Sequence, residues 1–209
     1  IDTLLKKNFL NYEIIVVDDG SNDSTLKILE RLLINNHNLH VIKHKKNQGY
    51  GSAVKDGLCA ATKELIFFSD SDNQFNLNEI KLLLDEIDVY DAVVGYRKQR
   101  KDPFVRQIYA WLWHTINKTI FKIYFKDINC AFKLFTKKIL GDIDVNSLKS
   151  QGAAISPEIF IKLKNCKAKI KEVPVMHYPR LLGQQTGAHS KVISKALFEL
   201  IVLYKSTRL

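Results

Sequence analysis

The segment at residues 13–21, EIIVVDDGS, decides the fold class. Its four consecutive branched apolar residues predict a short strand that is buried on both faces, and the acids and glycine behind them mark the strand end. A helix with inward-facing leucines is predicted over residues 23–33, and a second short strand over residues 39–43. Strands joined by a helix through short links are typical of a parallel sheet with helices on both faces.

The same alternation continues outward from this segment. Further strands are predicted at residues 65–69, 92–95, 131–135 and 168–173, and further helices at residues 49–61, 76–87, 106–125, 157–164 and 190–204. Pro174 is expected to close the last strand. With no internal repeat and no clear linker, the chain is expected to form one α/β domain over residues 1–209. Its first residues have the pattern of the end of an amphipathic helix, so we expect the native chain to begin earlier.

The composition excludes several classes of protein. Of 209 residues, 46% are apolar and 26% are charged, which is ordinary for a globular domain and excludes disordered chains. Three cysteines without a Cys-x-x-Cys pair argue against a disulfide scaffold or a zinc ribbon and favour a reducing compartment. No apolar run approaches the roughly 18 residues of a membrane-spanning helix.

The net charge of +10 is concentrated in the basic segment, residues 95–140, which holds 11 Lys and Arg residues against two acids. This excess predicts an anionic partner, and nucleic acid, a membrane surface and nucleotide phosphates all satisfy it. Aromatic side chains lie among the lysines between residues 109 and 126, which suits a contact with anionic lipid. The alternative is that Trp111 and the isoleucines on its stripe belong to the core.

Acidic side chains follow two of the predicted strands, at the sheet edge where α/β proteins bind ligands. Asp70 and Asp72 flank a single serine behind the third strand, so both carboxylates can reach one hard cation, Mg²⁺ or Mn²⁺. Gln74 offers a further oxygen. The alternative is an acidic turn that caps the next helix. The position at a strand end favours the metal site.

The first strand ends in a pair of acids, Asp18 and Asp19. We expect one of them to be structural and the other to accept hydrogen bonds from a nucleobase or ribose. The segment at residues 45–57, which contains Asn47 and Gly49, resembles a phosphate cradle at a helix start. A glycine turn that allows close helix packing explains the same residues equally well.

These segments together resemble the signatures of family 2 glycosyltransferases. Residues 16–25 are similar to the nucleotide-binding signature, residues 47–53 to the second loop and residues 67–74 to the metal motif. Residues 127–135 and 172–175 resemble the branch that includes polyprenyl-phosphate sugar synthases. The resemblance implies a GT-A fold with a nucleotide-sugar-binding half at residues 1–96 and an acceptor-binding half at residues 97–209.

The resemblance also implies a reaction and its residues. A sugar would pass with inversion from a nucleotide-diphosphate donor to a polyprenyl phosphate or, alternatively, to a saccharide hydroxyl, with Mg²⁺ or Mn²⁺ as cofactor. The implied sites are Asp18, Asp19, Asn47, Gly49 and Asp70 for the donor nucleotide, Asp70, Asp72 and Gln74 for the metal, Arg97, Arg106, Asp127, Arg180 and Lys191 for the acceptor or its phosphate, and Asp72, Glu158 and Arg97 for catalysis.

The acceptor decides whether a general base is needed. A hydroxyl must lose a proton, and Glu158 at a predicted helix start is the best candidate base. A lipid phosphate is already ionised and needs only cations to position it. Other hypotheses are a sugar nucleotidyltransferase, an inactive nucleotide-binding relative and a nucleic-acid-binding module. No nucleic acid is expected, because no recognised binding motif accompanies the charge. The expected location is cytoplasmic, with peripheral contact at the membrane's cytoplasmic face.

Overall fold

The computed structural model describes residues 2–9, 11–98, 104–180 and 190–207. The strands in these ranges are β1 Ile14–Asp18, β2 Leu39–Lys43, β3 Leu65–Ser69, β4 Ala92–Arg97, β5 Phe132–Thr136 and β6 Ile170–Val175. The α-helices are α1 Asp2–Asn8, α2 Thr25–Ile34, α3 Tyr50–Ala60, α4 Ile80–Leu84, α5 Phe104–Phe121, α6 Lys137–Asp142, α7 Ile155–Asn165 and α8 Ser190–Thr207. Short 3₁₀ turns cover Leu77–Glu79 and Val145–Ser147.

The strands form two sheets. Strands β1 and β2 pair in parallel, with Val16 opposite Val41. The other sheet has the order β3-β5-β4-β6, in which β4 and β6 are parallel and β5 runs antiparallel to both β3 and β4. Three of the four strands therefore point the same way, as the alternation of strands and helices predicts, and β5 returns between them.

Apolar layers cover both faces of the four-stranded sheet. On β5, Phe132 and Leu134 pack in a cluster with Leu83 of α4. Phe135 points to the opposite face and joins a larger cluster that includes Phe160 of α7. Burial on both faces is the physical reason why these strands have continuous apolar sequences instead of alternating ones.

Three local features differ from the expectations. Helix α6 was not predicted; it is only six residues long and is capped by the Thr136 hydroxyl, which accepts from the Ile139 N–H. The helix expected at residues 76–87 is a 3₁₀ turn followed by the five-residue α4. Pro174 does not end β6 but pairs opposite Tyr96 within it. Because β6 is an edge strand, it tolerates a residue without an N–H donor.

Helix α5 is only partly a core helix. Trp111 is 67% exposed, whereas Phe121 at the end of the helix and the nearby Ile123 are buried. The core interpretation is therefore right for Ile123 and wrong for Trp111 and for Ile120, which is 44% exposed. None of the helices in the described ranges combines the length and the apolar character needed to cross a membrane.

Candidate active site

The candidate site lies at the carboxyl-terminal ends of the strands. Asp18 is the last residue of β1, Asp70 directly follows β3, and Arg97 is the last residue of β4. Because β3 and β4 point the same way, Asp70 and Arg97 emerge at the same edge of the sheet, near enough for the Arg97 charge to act on Asp70. The structure thus brings together Asp70 and Arg97, an acid and a cation that were selected on sequence alone.

Of the two acids after β1, Asp19 has a structural role. Its carboxylate accepts hydrogen bonds from the backbone N–H groups of Gln48 and Gly49, both at 2.8 Å, and it bonds to the ring of His44 at 2.7 Å. Burial acts to raise the pKa of Asp19, but these donors outweigh it and hold the pKa below its ordinary value. Asp18, which is 4% exposed, is left as the candidate nucleotide ligand.

The loop that carries Asn47 and Gly49 is packed closely against its neighbours. Gly49 has a φ of 105°, and a β-carbon on it would collide with the carbonyl of Gln151. Gly20 has a φ of 74°, and a β-carbon there would lie 2.7 Å from the Asn47 nitrogen. Both glycines are therefore required by backbone conformation and space. Asn47 itself is exposed.

The candidate metal ligands lie on the turn after β3. Burial and the neighbouring charge of Asp72 raise the pKa of Asp70. The two carboxylates repel each other, and a bound cation would relieve that repulsion. Asp72 accepts from the Gln74 N–H at 3.1 Å. The Gln74 side chain is 8% exposed and donates to the Tyr178 carbonyl at 3.0 Å, so its amide also anchors the segment behind β6.

The donor chemistry of this turn fits a hard divalent cation. Mg²⁺ and Mn²⁺ typically use one or two carboxylates and complete their shell with water and substrate phosphate. Across the described ranges, no group of three His, Cys, Asp or Glu side chains is arranged to hold a metal. Asp70 and Asp72 are the candidate protein ligands, with Gln74 beside them.

Arg97 and Asp127 form a buried ion pair. The Arg97 Nε and Nη2 atoms donate to the two Asp127 oxygens at 2.6 and 2.8 Å, and the side chains are 9% and 10% exposed. This two-pronged geometry fixes the guanidinium plane at the end of β4. Both residues were predicted to bind the acceptor or its phosphate, and in the structure Asp127 also orients Arg97.

Two residues at the site were missed by sequence reasoning. Lys133 of β5 is 2% exposed and donates to the Cys130 carbonyl, and the charges of Asp70, Asp127 and Arg97 act on it. Burial lowers its pKa. The Tyr50 hydroxyl lies near Asp70: burial of that hydroxyl and the Asp70 charge raise the pKa of Tyr50 well above its usual value, although 41% of the residue is exposed. The one sequence signal for either residue was that Lys133 lies inside an otherwise apolar strand.

Glu158 is held by the backbone. Its carboxylate is 4% exposed and accepts from the N–H groups of Lys149 and Ser150 at 2.9 and 2.8 Å. This geometry favours a structural role, the anchoring of the loop before α7, because both oxygens already have donors. Its assignment as a general base stays a prediction.

The remaining predicted phosphate-binding residues are less defined. Arg180 is exposed, two residues beyond the Tyr178 backbone that pairs with Gln74. Arg106 and Lys191 lie in α5 and α8, but their side chains fall outside the described part of the chain. The structure therefore brings together Asp70, Asp72, Arg97 and Asp127, places Asp18 at the end of β1 in the other sheet, and leaves these three as sequence-based predictions.

Comparison with known proteins identifies similar sequences. Residues 1–143 match the family model described as glycosyl transferase family 2. The chain is 30% identical over 200 residues to the dolichyl-phosphate beta-glucosyltransferase of Dictyostelium discoideum, covering 89% of this chain and 61% of that protein. It is also 30% identical to the dodecaprenyl-phosphate galacturonate synthase of Rhizobium johnstonii, covering 92% of this chain and 57% of that protein. The chain thus spans about six tenths of these relatives.

A solved structure shares the fold. It is glucosyl-3-phosphoglycerate synthase from Mycobacterium tuberculosis, crystallised in complex with Mn²⁺, UDP and glucosyl-3-phosphoglycerate. The TM-score is 0.65 at 17% sequence identity, and the match covers 97% of this chain and 71% of that chain. At this identity the likeness concerns the fold, and the predicted GT-A-like fold is confirmed.

Proposed function

Because this chain belongs to glycosyl transferase family 2, we propose that it transfers a sugar from a nucleotide-diphosphate donor to a polyprenyl phosphate. The observation that carries the proposal is the site at one sheet edge, where the Asp70–Asp72 pair lies near the cations Arg97 and Lys133. The carboxylates could hold a metal ion that binds the donor diphosphate, and the cations could bind the phosphate of the acceptor.

The donor would occupy the side of the site formed by β1 and the loop at residues 47–49. Asp18 would accept hydrogen bonds from the base or ribose, and Asn47 and Gly49 would face the nucleotide. Asp70 and Asp72 would hold Mg²⁺ or Mn²⁺ on the diphosphate. The bound cation would stabilise the negative charge that develops on the departing nucleotide.

The acceptor is argued from charge and from the state of Glu158. Glu158 already accepts two backbone N–H groups and is buried, which weighs against a base for a hydroxyl acceptor. A lipid phosphate needs no base, and Arg97 would position it for attack from the side opposite the leaving group, with inversion. The printed names of the two relatives, dolichyl-phosphate and dodecaprenyl-phosphate enzymes, support this class of acceptor.

We further propose that helices α5 and α8 contact an anionic membrane surface. Each helix exposes large apolar side chains, among them Trp111 and Tyr124 near α5 and Phe198 and Ile201 on α8. Phe121 and Tyr204 are in ring contact at 6.4 Å, so the ends of the two helices lie side by side. Lysines 118, 122 and 126 are exposed on the same segment, which favours anionic over neutral lipid.

The membrane proposal is tested by sedimentation with vesicles. Binding to phosphatidylglycerol vesicles and not to phosphatidylcholine vesicles is expected, with loss of binding in a Trp111→Ser, Phe198→Ser double variant. Equal sedimentation of that variant would refute the assignment of this surface.

The catalytic proposal is tested by nucleotide binding and by transfer. At a ligand concentration of 100 times Kd, binding stabilises the folded state by about 2.7 kcal/mol, which is roughly 5–10 °C for a chain of this size. A shift of this order is expected with UDP or GDP only when Mn²⁺ is present. Asp72→Ala should abolish the shift, whereas Asp88→Ala, a matched change of an exposed acid, should retain it.

Transfer then separates the acceptors. Radiolabelled sugar is expected on polyprenyl phosphate and not on free saccharides. A nucleotide shift that persists in Asp72→Ala would refute the metal assignment. Labelling of a saccharide hydroxyl in place of the lipid would refute the acceptor.

A further inference from the structure

His44 is a buried imidazole held between two carboxylates. Its Nδ1 atom lies 2.7 Å from Asp19 Oδ1, and its Nε2 atom lies 2.9 Å from Asp56 Oδ2. The side chain is 5% exposed. Asp19 approaches from the loop after β1 and Asp56 from α3, so His44 ties the end of β1 to a helix on the other side of the loop.

This geometry requires a charged ring. A neutral imidazole carries one N–H, so it can donate to only one of two carboxylates, and the second would face a nitrogen lone pair. With protons on both nitrogens, both bonds form. Asp19 first, and then Asp56, raise the pKa of His44 against the opposing effect of burial. The flanking charged residues on its own segment are Lys43, Lys45 and Lys46.

The contact continues from Asp19 to the donor loop. The same Asp19 carboxylate that bonds to His44 also accepts the N–H groups of Gln48 and Gly49. Asp19 is therefore the junction between the imidazole and the backbone at residues 47–49. A neutral ring keeps one N–H, so it can hold Asp19 or Asp56 but not both. Either Asp19 loses one of its donors, or the ring loses its bond to α3 and holds Asp19 less firmly. In both cases the two loop amides are fixed less rigidly.

We propose that His44, as an imidazolium between Asp19 and Asp56, is a positioning residue that holds residues 47–49 in the donor-binding conformation, so that donor affinity falls when His44 loses its proton. The part that concerns donor affinity rests on the proposed function. The part that concerns the loop does not, because it is a statement about two backbone amides.

The sign of the pH effect follows from the direction of the shift. Since the pKa of folded His44 lies above its ordinary value of 6.5, the stabilisation is complete below about pH 6.5. It is lost as the pH rises through the folded value. The loop should therefore be more ordered in mildly acidic solution than in alkaline solution.

Amide hydrogen exchange tests the loop without any ligand. Protection at Gln48 and Gly49, corrected for intrinsic exchange rates, should fall about tenfold as the pH is raised from 6 through the range in which folded His44 loses its proton, the worth of one charge-assisted bond. His44→Gln should show the low protection over the whole pH range. The matched control is His40→Gln at an exposed histidine of β2, the strand that ends just before His44, and it should behave as the unmodified protein does.

A second variant keeps the proposal testable if His44→Gln fails to fold. Asp56→Asn removes one carboxylate from outside the loop, so the pH at which protection falls should move downward. A purely structural role for His44 would leave that midpoint unchanged. Protection that does not depend on pH in the unmodified protein, or a midpoint unmoved by Asp56→Asn, would overturn the proposal.

Donor binding is then measured by titration calorimetry with UDP or GDP and Mn²⁺ over the same pH range. A dissociation constant that rises with the loss of loop protection, with an unchanged effect in His40→Gln, supports the donor part. Loss of protection without any change in nucleotide affinity overturns it. Absence of nucleotide binding at every pH would be a failure of the proposed function, which the exchange data would identify separately.

Discussion

Removing one partner of the Arg97–Asp127 pair should destabilise the protein strongly. In Asp127→Ala, the guanidinium remains at the end of β4 without the two oxygens that it now meets at 2.6 and 2.8 Å. Both side chains are about nine-tenths buried, so water replaces the lost oxygens poorly. Breaking a buried pair in this way costs about 3–5 kcal/mol. For a chain of this size, a loss of about 4 kcal/mol lowers the melting temperature by roughly 8–16 °C.

The assay is urea and thermal unfolding of four proteins: unmodified, Asp127→Ala, Arg97→Ala and the double variant. The double variant should be more stable than the sum of the single losses predicts, because both single losses include the same Arg97–Asp127 interaction. The matched control is Asp142→Ala, which breaks the exposed Lys138–Asp142 pair at 2.6 Å and should leave stability nearly unchanged. If Asp127→Ala were no less stable than Asp142→Ala, the inference that this pair is a buried clamp would be wrong.

Two further predictions concern packing and Glu158. Gly51→Ala should destabilise the protein by about 1–3 kcal/mol, since the new β-carbon would collide with the Ser150 carbonyl and lie 2.8–2.9 Å from the backbone of Gln151 and Gly152. Gly141→Ala, with no atom within 4 Å of the new β-carbon, should be neutral or stabilising by about 0.5–1 kcal/mol. Thermal unfolding compares the two variants, and equal effects would contradict the packing argument. Glu158→Gln should cost about 1–3 kcal/mol in chemical unfolding through its bonds to Lys149 and Ser150, yet retain transfer to a lipid phosphate. A large loss of turnover with unchanged stability would instead identify Glu158 as a base.

The sequence was sufficient for the family, for the fold and for most strand positions. Buried parallel strands are visible in a sequence as short apolar runs that end at acidic residues, and residues 14–18 and 65–69 are examples. Family membership and the GT-A-like fold are confirmed. The antiparallel pairing of β5 with β3 and β4 could not be predicted in the same way, because an apolar run does not show in which direction its strand lies in the sheet. The short helix α6 has too few residues for a helical period to be visible.

The same difference between local patterns and long-range contacts applies to the site. Asp70 and Asp72 were found because their spacing is local, and a local pattern is visible in a sequence. The contacts of His44 and Lys133 depend on residues that lie far away along the chain: Asp56 reaches His44 from α3, and Asp70 acts on Lys133 across the sheet. The structure also assigns Asp19 the structural role within the acid pair, a choice that the sequence left open.

The central position of β5 has a consequence for synthesis of the chain on the ribosome. Strands β3 and β4 leave the ribosome first, but the strand that joins them begins only at Phe132. Until then the facing edges of β3 and β4 have no partner, and open strand edges promote association between chains. Folding of this sheet must therefore wait until most of the chain has been made. A product terminated before residue 132 would lack the strand that joins β3 to β4.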